Sequence, residues 1–272
     1  MNTILITGAS SGIGKATAIY FQQQGWNVVA SMRKPENDTE LSALDNVLVT
    51  RLDVLDQDSI AAAVAAGIEK FGRIDALLNN AGYGAYGPLE TFPMENIRRQ
   101  WDTNVIGLIA VTKAVLPHMR ANKSGVIANV SSVGGRITFP LGALYHGTKF
   151  AVEGLSESLH YELEPLGIKV KIIEPGAIAT DFIDRSFDFY HDESIEEYQP
   201  IVQKMLSNFE PIMETASPAS DCAAVIYGAI TDGTPRMRYL AAGGAEDFMA
   251  IREGAEDTEF FTRVKNMMGL PD

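Results

Sequence analysis

Seven short apolar runs punctuate this chain, and between them apolar positions recur every three or four residues. The runs are Thr3-Ile4-Leu5-Ile6-Thr7, Asn27 to Ser31, Val47 to Val49, Ile74 to Leu78, Gly125 to Val130, Ile168 to Ile173 and Arg238 to Ala241. Each is read as a strand. The intervening stretches carry helical stripes. Ile13, Ala16, Ile19 and Tyr20 stop at Gly25, and Ile60, Val64 and Ile68 mark a second stripe. A long pattern from Ile97 to Met119 sets Trp101, Val105, Leu108, Ile109, Thr112 and Leu116 on one face. Leu144, Thr148, Val152, Leu155, Leu159 and Leu163 form another stripe, and Asp221 to Ile230 reads as a further helix. Strand and helix in alternation predict an α/β architecture with a parallel sheet flanked by helices. From Asp181 to about Ala216 the pattern is irregular, and the tail from Gly243 to Asp272 reads as one or two amphipathic helices.

The first run leads into Thr7-Gly8-Ala9-Ser10-Ser11-Gly12-Ile13-Gly14. Glycine at 8 and 12 lets backbone N–H groups approach an anion with no Cβ in the way, and the helix that follows adds its positive dipole end. Gly14 lets that helix pack closely on its strand. The turn is therefore expected to hold a diphosphate. A nucleotide-hydrolase loop needs four residues between its first glycine and a Gly-Lys pair followed by Ser or Thr. Here five residues separate Gly8 from Gly14, and Lys15 is followed by Ala16. That excludes a kinase or NTPase on both counts. The literal G-x-G-x-x-G is not matched either; the spacing is T-G-x-x-x-G-x-G.

Polar residues gather at the ends of the other strands. Ile74 to Leu78 runs into Asn79-Asn80-Ala81-Gly82, which suits a backbone turning beside a ligand. Leu52-Asp53-Val54 follows the third strand; Asp53 reads either as a ligand contact or as the cap of the next helix, a role Asp56 or Asp58 could fill instead. The fifth strand delivers Ser131 and Ser132 at its carboxyl end, where ligands of open parallel sheets sit, or as turn formers ahead of Gly134-Gly135. Tyr145 and Lys149 lie one helical turn apart on the same face. A free tyrosine titrates at ~10, and an ammonium one turn away favours the phenolate, bringing it toward the range of an acid–base catalyst.

Composition narrows the classes. The 272 residues, with no Pro/Gly/Ser-rich linker, are read as a single domain, 46% hydrophobic and 21% charged. A net charge of −13 argues against a nucleic-acid partner, so any phosphate site must be local. Cys222 is the only cysteine, which leaves no intramolecular disulfide and no Cys-cluster metal site. It is expected to be an inert buried thiol. The most apolar stretch, Val105 to Leu116, is interrupted by Lys113 well short of the ~18 residues of a membrane span. A cytoplasmic protein acting on a small molecule, and assembling as a homodimer or homotetramer, is expected.

Together the glycine turn, Asn79-Asn80-Ala81-Gly82, Asp102-Thr103-Asn104-Val105, Ser132 and Tyr145-His146-Gly147-Thr148-Lys149 resemble the short-chain dehydrogenase/reductase family, over residues 3 to 180 without a large gap. The resemblance implies a Rossmann-like doubly wound domain with about seven parallel strands. It also implies hydride exchange between a nicotinamide dinucleotide and a carbonyl or alcohol. Tyr145 would then be the general acid–base. Ser132, which precedes it by 13 residues, would bond the substrate oxygen. Lys149 would lower the Tyr145 pKa and bind the nicotinamide ribose, and Asn104 would complete a water-linked proton path. Gly8, Ser10, Ser11, Gly12, Ile13 and Gly14 would cradle the cofactor. Asp53 and the backbone of Val54 would meet its adenine, and Asn80, Ala81 and Gly82 its adenine ribose. Pro175, Gly176, Ile178 and Thr180 would lie over the nicotinamide and diphosphate. In a dinucleotide fold an acid after the second strand takes the ribose 2′-hydroxyl, whereas an Arg accommodates a 2′-phosphate. This chain has Ser31-Met32-Arg33-Lys34 with no carboxylate until Glu36, which favours NADP(H) over NAD(H). Residues 181–216, with nine acids against two bases, would be the substrate lid, and Phe139 and Phe182 apolar walls of the pocket. Residues 243–272 form a C-terminal extension that would cover the pocket or join a subunit interface. The segment from Ser132 to Phe150 is similar to members acting on steroids, retinoids or other bulky ketones. His146, where small residues are usual, is read as facing solvent. Two alternatives stand beside this one: an NADP(H) sensor or scaffold without turnover, and a dehydratase or epimerase on the same fold.

Overall fold

The computed structural model describes residues 1–179 and 187–270. The first half of the chain contains β1 (Thr3–Thr7), α1 (Gly12–Gln23), β2 (Asn27–Met32), β3 (Val47–Arg51), α2 (Gln57–Phe71), β4 (Ala76–Asn79), β5 (Gly84–Tyr86), α3 (Met94–Trp101) and α4 (Gly107–Asn122). Then follow β6 (Gly125–Val130), α5 (Ala143–Leu163), β7 (Ile168–Pro175), β8 (Ile178–Ala179), β9 (Phe187–Phe189) and α6 (Gln199–Glu214). The last elements are β10 (Ser217–Pro218), α7 (Ala219–Thr231), β11 (Arg238–Ala241), α8 (Ala245–Arg252) and α9 (Asp257–Met267).

The seven apolar runs form one parallel sheet in the order β11-β7-β6-β4-β1-β2-β3. This is the expected doubly wound, Rossmann-like fold. Strand order reverses between β1 and β4, so the turns leaving those strands open side by side and leave a crevice at the carboxyl edge.

Alternation along each strand sorts side chains onto the two faces. Ile4, Ile6, Val28, Ala30, Ala76 and Leu78 pack with Ala18 and Phe21 of α1 and Cys222 and Ile226 of α7. Leu5, Val29, Leu77 and Ile127 face the other way, onto Ile60 and Val64 of α2 and Val111 and Val115 of α4. Each buried Val, Leu or Ile among them contributes about 1.5–3 kcal/mol relative to exposure. Burial pushes the Cys222 thiol up to about 12, so it is a packing group.

A polar ladder inside the core ties the sheet to two helices. Asn79 Nδ2 donates to Thr112 Oγ1 on α4 and to Asn129 Oδ1 on β6, both at 2.9 Å. Asn129 Nδ2 donates to Ser156 Oγ on α5 at 2.9 Å. The helix that carries Tyr145 and Lys149 is thereby fixed to the strand that leads into Ser132.

Three segments differ from the sequence reading. The helix expected from Ile97 to Met119 is broken into α3 and α4 by a widened π turn, Asp102–Ile106. The turn brings Asn104 inward to pair both backbone groups of Tyr83: Nδ2 donates to Tyr83 O at 2.8 Å, and Oδ1 accepts from Tyr83 N at 3.0 Å. It also moves Trp101 off the apolar face, to 38% exposure, while Gln100 is fully buried. Second, the irregular stretch contains the 16-residue helix α6. Pro200 sits in its first turn, where a missing N–H costs nothing, and Val202 and Met205 bury one face. Third, the tail makes two helices. Phe260, Val264 and Met268 pack with Met205, Val133 and Ile137 over the carboxyl edge of the sheet.

Replacing Asn129 with Ala should cost about 2–3 kcal/mol, because it removes both its links and leaves buried groups unpaired. Ser156→Ala should cost about 1 kcal/mol. Urea midpoints of the two variants measure this ladder directly.

Candidate active site

A cavity of ≈ 580 Å³ runs along the carboxyl edge of the sheet, from Arg33 at one end to Phe248 at the other. Of the sequence-predicted cofactor residues, Gly8, Ser10, Ser11, Gly12, Ile13, Arg33, Asp53, Val54, Asn80, Ala81, Gly82, Pro175, Gly176 and Ile178 line it. Thr180 and Phe182 lie outside the described residues. Gly8 and Gly12 have φ of +70° and +53°, backbone that a Cβ would strain. Gly14 is buried behind them, where a Cβ would collide with the Gly8 carbonyl oxygen and Asn80 Nδ2. The neighbouring turn is locked to this one. Thr7 Oγ1 accepts from the backbone N–H of Asn80 and of Ala81, each at 3.0 Å, and Asn80 Nδ2 donates to the carbonyls of Thr7 at 2.9 Å and Gly8 at 3.2 Å. A wall made of exposed backbone at a helix N-terminus fits a dinucleotide diphosphate.

Asp53 is not the helix cap. Asp56 caps α2 by accepting from the N–H groups of Asp58 and Ser59, so the Asp53 carboxylate stays at the cavity wall, accepting from Leu55 N at 3.0 Å. Of the basic pair after β2, Arg33 lines the cavity and Lys34 does not.

The middle of the cavity gathers Ser132, Tyr145 and Lys149. Ser132 leaves β6 with its Oγ accepting from Gly134 N at 3.0 Å and facing the Pro175 carbonyl at 3.4 Å. Ser131, one residue earlier, turns its Oγ toward Gly135, with no hydrogen-bond partner among the described residues. Lys149 Nζ donates to Val130 O at 2.9 Å and stands 5.7 Å from the Tyr145 ring centre. Asn104 Nδ2 donates to Thr148 Oγ1 at 3.1 Å, and that hydroxyl donates to Tyr145 O at 2.8 Å, so the π turn is tied to the first turn of α5.

The electrostatics differ from the sequence expectation. Burial holds the Tyr145 phenol above its ordinary value, and the counterweight is a hydrogen bond with Ser132. The ammonium of Lys149 bonds to a strand carbonyl, and burial brings Lys149 itself down to about 8, with Glu153 opposing.

Sequence reasoning expected segments 181–216 and 243–272 at the pocket but missed Tyr86 and Arg99. Tyr86, Phe187, Met205, Phe248 and Met268 join Phe139 around the far end of the cavity, and Arg99 and Asp188 are the charged lining residues on that side. Tyr86 stacks 5.3 Å from Tyr145 and 5.2 Å from Phe187. These come from elements far apart in the chain, and no local pattern joins them. Gln100 was also missed; it accepts from Ala85 N at 2.7 Å and donates to Tyr83 O at 2.8 Å, fixing β5 beside the cavity. The reading of His146 as solvent-facing is overturned. It is buried, with both ring nitrogens bonded to the loop that precedes α5, because that loop folds back over the helix.

A glycine cradle at the switch point of a parallel sheet, opening into a pocket with a half-buried phenol, defines the class of dinucleotide-dependent oxidoreductases. Residues 2–190 match the family described as short chain dehydrogenase. The chain is 45% identical over 239 residues to an uncharacterised oxidoreductase of Schizosaccharomyces pombe, covering 88% of this chain and 100% of that one. A solved short-chain dehydrogenase from Streptomyces avermitilis superposes with a TM-score of 0.82 at 31% identity, covering 99% of this chain and 98% of that one. The structure of ElxO with NADP bound gives 0.74 at 28% identity, over 90% and 99%. This chain belongs to the short-chain dehydrogenase family, and it is an NAD(P)-dependent oxidoreductase.

Behind the pocket lies a buried carboxylate pair. Arg238 Nε stands 2.9 Å from Glu153 Oε2 and 3.4 Å from Glu174 Oε1, and Arg136 Nη1 stands 3.5 Å from Glu174 Oε1. Burial first, and then the charge of Glu153, raise Glu174 from 4.5 to about 7 against the two guanidiniums. The unfolded chain therefore loses this proton at lower pH than the native one. The contribution is full below about 4.5 and lost as pH rises through about 7. Glu174→Gln should flatten that decline: urea midpoints at pH 5 and pH 8 should lie closer together in the variant than in the wild type.

Proposed function

We propose that the protein is an NADP(H)-dependent oxidoreductase that interconverts a ketone and a secondary alcohol on a mainly apolar substrate, with Tyr145 as general acid–base. The observation that carries this reading is the convergence, in one cavity, of the Tyr145 phenol, the Ser132 hydroxyl beside it and the Lys149 ammonium one turn away. In the reducing direction Tyr145 gives its proton to the carbonyl oxygen as that oxygen gains charge. Ser132 Oγ donates a hydrogen bond to the same oxygen and holds it in place. Lys149 then faces the phenolate and, held near 8, can return a proton to it. The side-chain amide of Asn104 is spent on Tyr83 and Thr148, so a water-holding role falls to its backbone in the π turn. When bound, the nicotinamide supplies the hydride or takes it.

The cofactor would be held by the backbone of residues 8 to 14, by Asn80 to Gly82 and by Asp53. Its preference for NADP(H) is supported by Arg33 at the cavity wall with no carboxylate on the loop until Glu36. The NADP-bound neighbour is consistent with it. The apolar substrate is supported by Tyr86, Phe139, Phe187, Met205, Phe248 and Met268 around the far end, contributed partly by α6 and the 243–272 extension. These segments, with 181–216 as lid, complete a single functional unit.

Tyr145→Phe removes the proton donor and keeps the ring, so kcat for ketone reduction should fall on the order of 10²–10⁴-fold while NADPH binding, read by fluorescence titration, is retained. Full activity in that variant would end this reading. Arg33→Ala removes a charge-assisted contact to the 2′-phosphate and should raise the NADPH KM about ten- to a hundred-fold, leaving the NADH KM within about two-fold. Equal effects on both would remove the cofactor preference.

A further inference from the structure

His146 takes no part in the chemistry above, yet it sits beside Tyr145 with 3% exposure. Nε2 accepts from the backbone N–H of Phe139 at 3.0 Å, and Nδ1 lies 2.8 Å from the carbonyl oxygen of Gly134. A backbone N–H can only donate, so Nε2 is the bare nitrogen, and Nδ1 carries the proton that Gly134 receives. Burial, which brings His146 down to about 4, keeps this neutral form through the working range.

The ring has no freedom to leave. A Cβ on Gly134 would stand 2.9 Å from Nδ1, and one on Gly142 would stand 2.5 Å from Cδ2. Tyr145, Phe139 and Tyr86 close round it at 5.7, 5.9 and 6.0 Å between ring centres. Each of its two bonds leads to a different part of the site. Gly134 donates its own N–H to Ser132 Oγ, so the Nδ1 bond steadies the turn that aims that hydroxyl. Phe139 lines the far end of the cavity, so the Nε2 bond holds a wall of the substrate pocket.

We propose that His146 is a positioning and specificity-determining residue: from α5 its two ring nitrogens clamp both halves of the β6–α5 connection, one setting Ser132 against Tyr145 and the other setting Phe139 against the substrate. The kinetic part rests on the ketone–alcohol reading given above; the clamp itself does not.

Two amides separate the two bonds. An asparagine amide ends near the position of Nδ1 and keeps the Gly134 bond, whereas a glutamine amide reaches the position of Nε2 and keeps the Phe139 bond. With one hydrogen bond worth about a ten-fold change, His146→Asn should hold kcat within about three-fold and raise KM for a bulky aryl ketone about ten-fold, leaving KM for a small aliphatic ketone unchanged. His146→Gln should lower kcat about ten-fold on both ketones with little change in KM, and His146→Leu should show both defects. Hydrogen exchange followed by mass spectrometry over residues 137–142 needs no substrate: exchange at the Phe139 amide should quicken in His146→Asn and His146→Leu and stay slow in His146→Gln. Unchanged exchange in His146→Leu overturns the clamp. Losses of kcat/KM equal for both ketones in all three variants, tracking the fraction of folded protein, overturn the positioning role. A wild type that turns over no ketone strikes the reading of the preceding section, and amide exchange then decides the clamp alone.

Discussion

A phenol half-buried among aromatic rings resists ionising, and the site is arranged around that resistance. Tyr145 lies against Tyr86 and His146, and burial holds its proton on. In the proposed reaction this is an asset in one direction and a barrier in the other: a neutral phenol is ready to donate, but the phenolate it leaves must be tolerated. Ser132 and Lys149 are the groups within reach that favour the ionised form, and both work only over short distances. Placement to a fraction of an ångström therefore matters more than the identity of the two residues alone.

That placement is made by hydrogen bonds between elements rather than by any one of them. α5 is tied to β6 through Asn129 and Ser156, to the π turn through Thr148 and Asn104, and to its own preceding loop through His146. On the cofactor side, Thr7 and Asn80 join the two turns at the switch point. Each of these polar groups is at least half withdrawn from water, where an unmade bond costs about 1–3 kcal/mol, so the alternatives to the observed geometry are disfavoured one by one.

The parts legible in the sequence are those with short-range causes. Strands covered on both faces must be apolar, so their runs gave the sheet nearly to the residue, as at β6 and β11. Tyr145 and Lys149 were legible because a four-residue spacing fixes a shared helical face. The π turn was not: a single inserted residue scarcely disturbs a 3.6-residue period, and its cause, the pairing of Asn104 with Tyr83, lies 21 residues away. His146 was misread for a related reason. A polar residue inside a helix ordinarily faces water, and the groups that make burial favourable here are 7 and 12 residues upstream in an irregular loop. α6 was hidden by its two prolines, although Pro200 occupies a position where proline does no harm.

The same division explains how such a pocket can change its substrate without losing its chemistry. Ser132 stands just past β6, and Tyr145 and Lys149 come from α5, which hydrogen bonds tie to β6. The far wall comes from elsewhere: Met205 from α6, Phe248 from α8, Met268 just past α9 and Phe187 from β9. These pack as a separate small cluster over the carboxyl edge, and methionine among them supplies a flexible side chain that adapts to irregular shapes. Met205, Phe248 and Met268 shape the space offered to the substrate away from Tyr145, whereas Phe187 reaches the phenol through Tyr86. Phe139 also joins the two parts, since it belongs to the far wall yet hangs from a helix residue next to the phenol. Through His146 the Phe139 wall and the turn that carries Ser132 share one support, which under the proposed reading makes that imidazole the point where chemistry and selectivity meet.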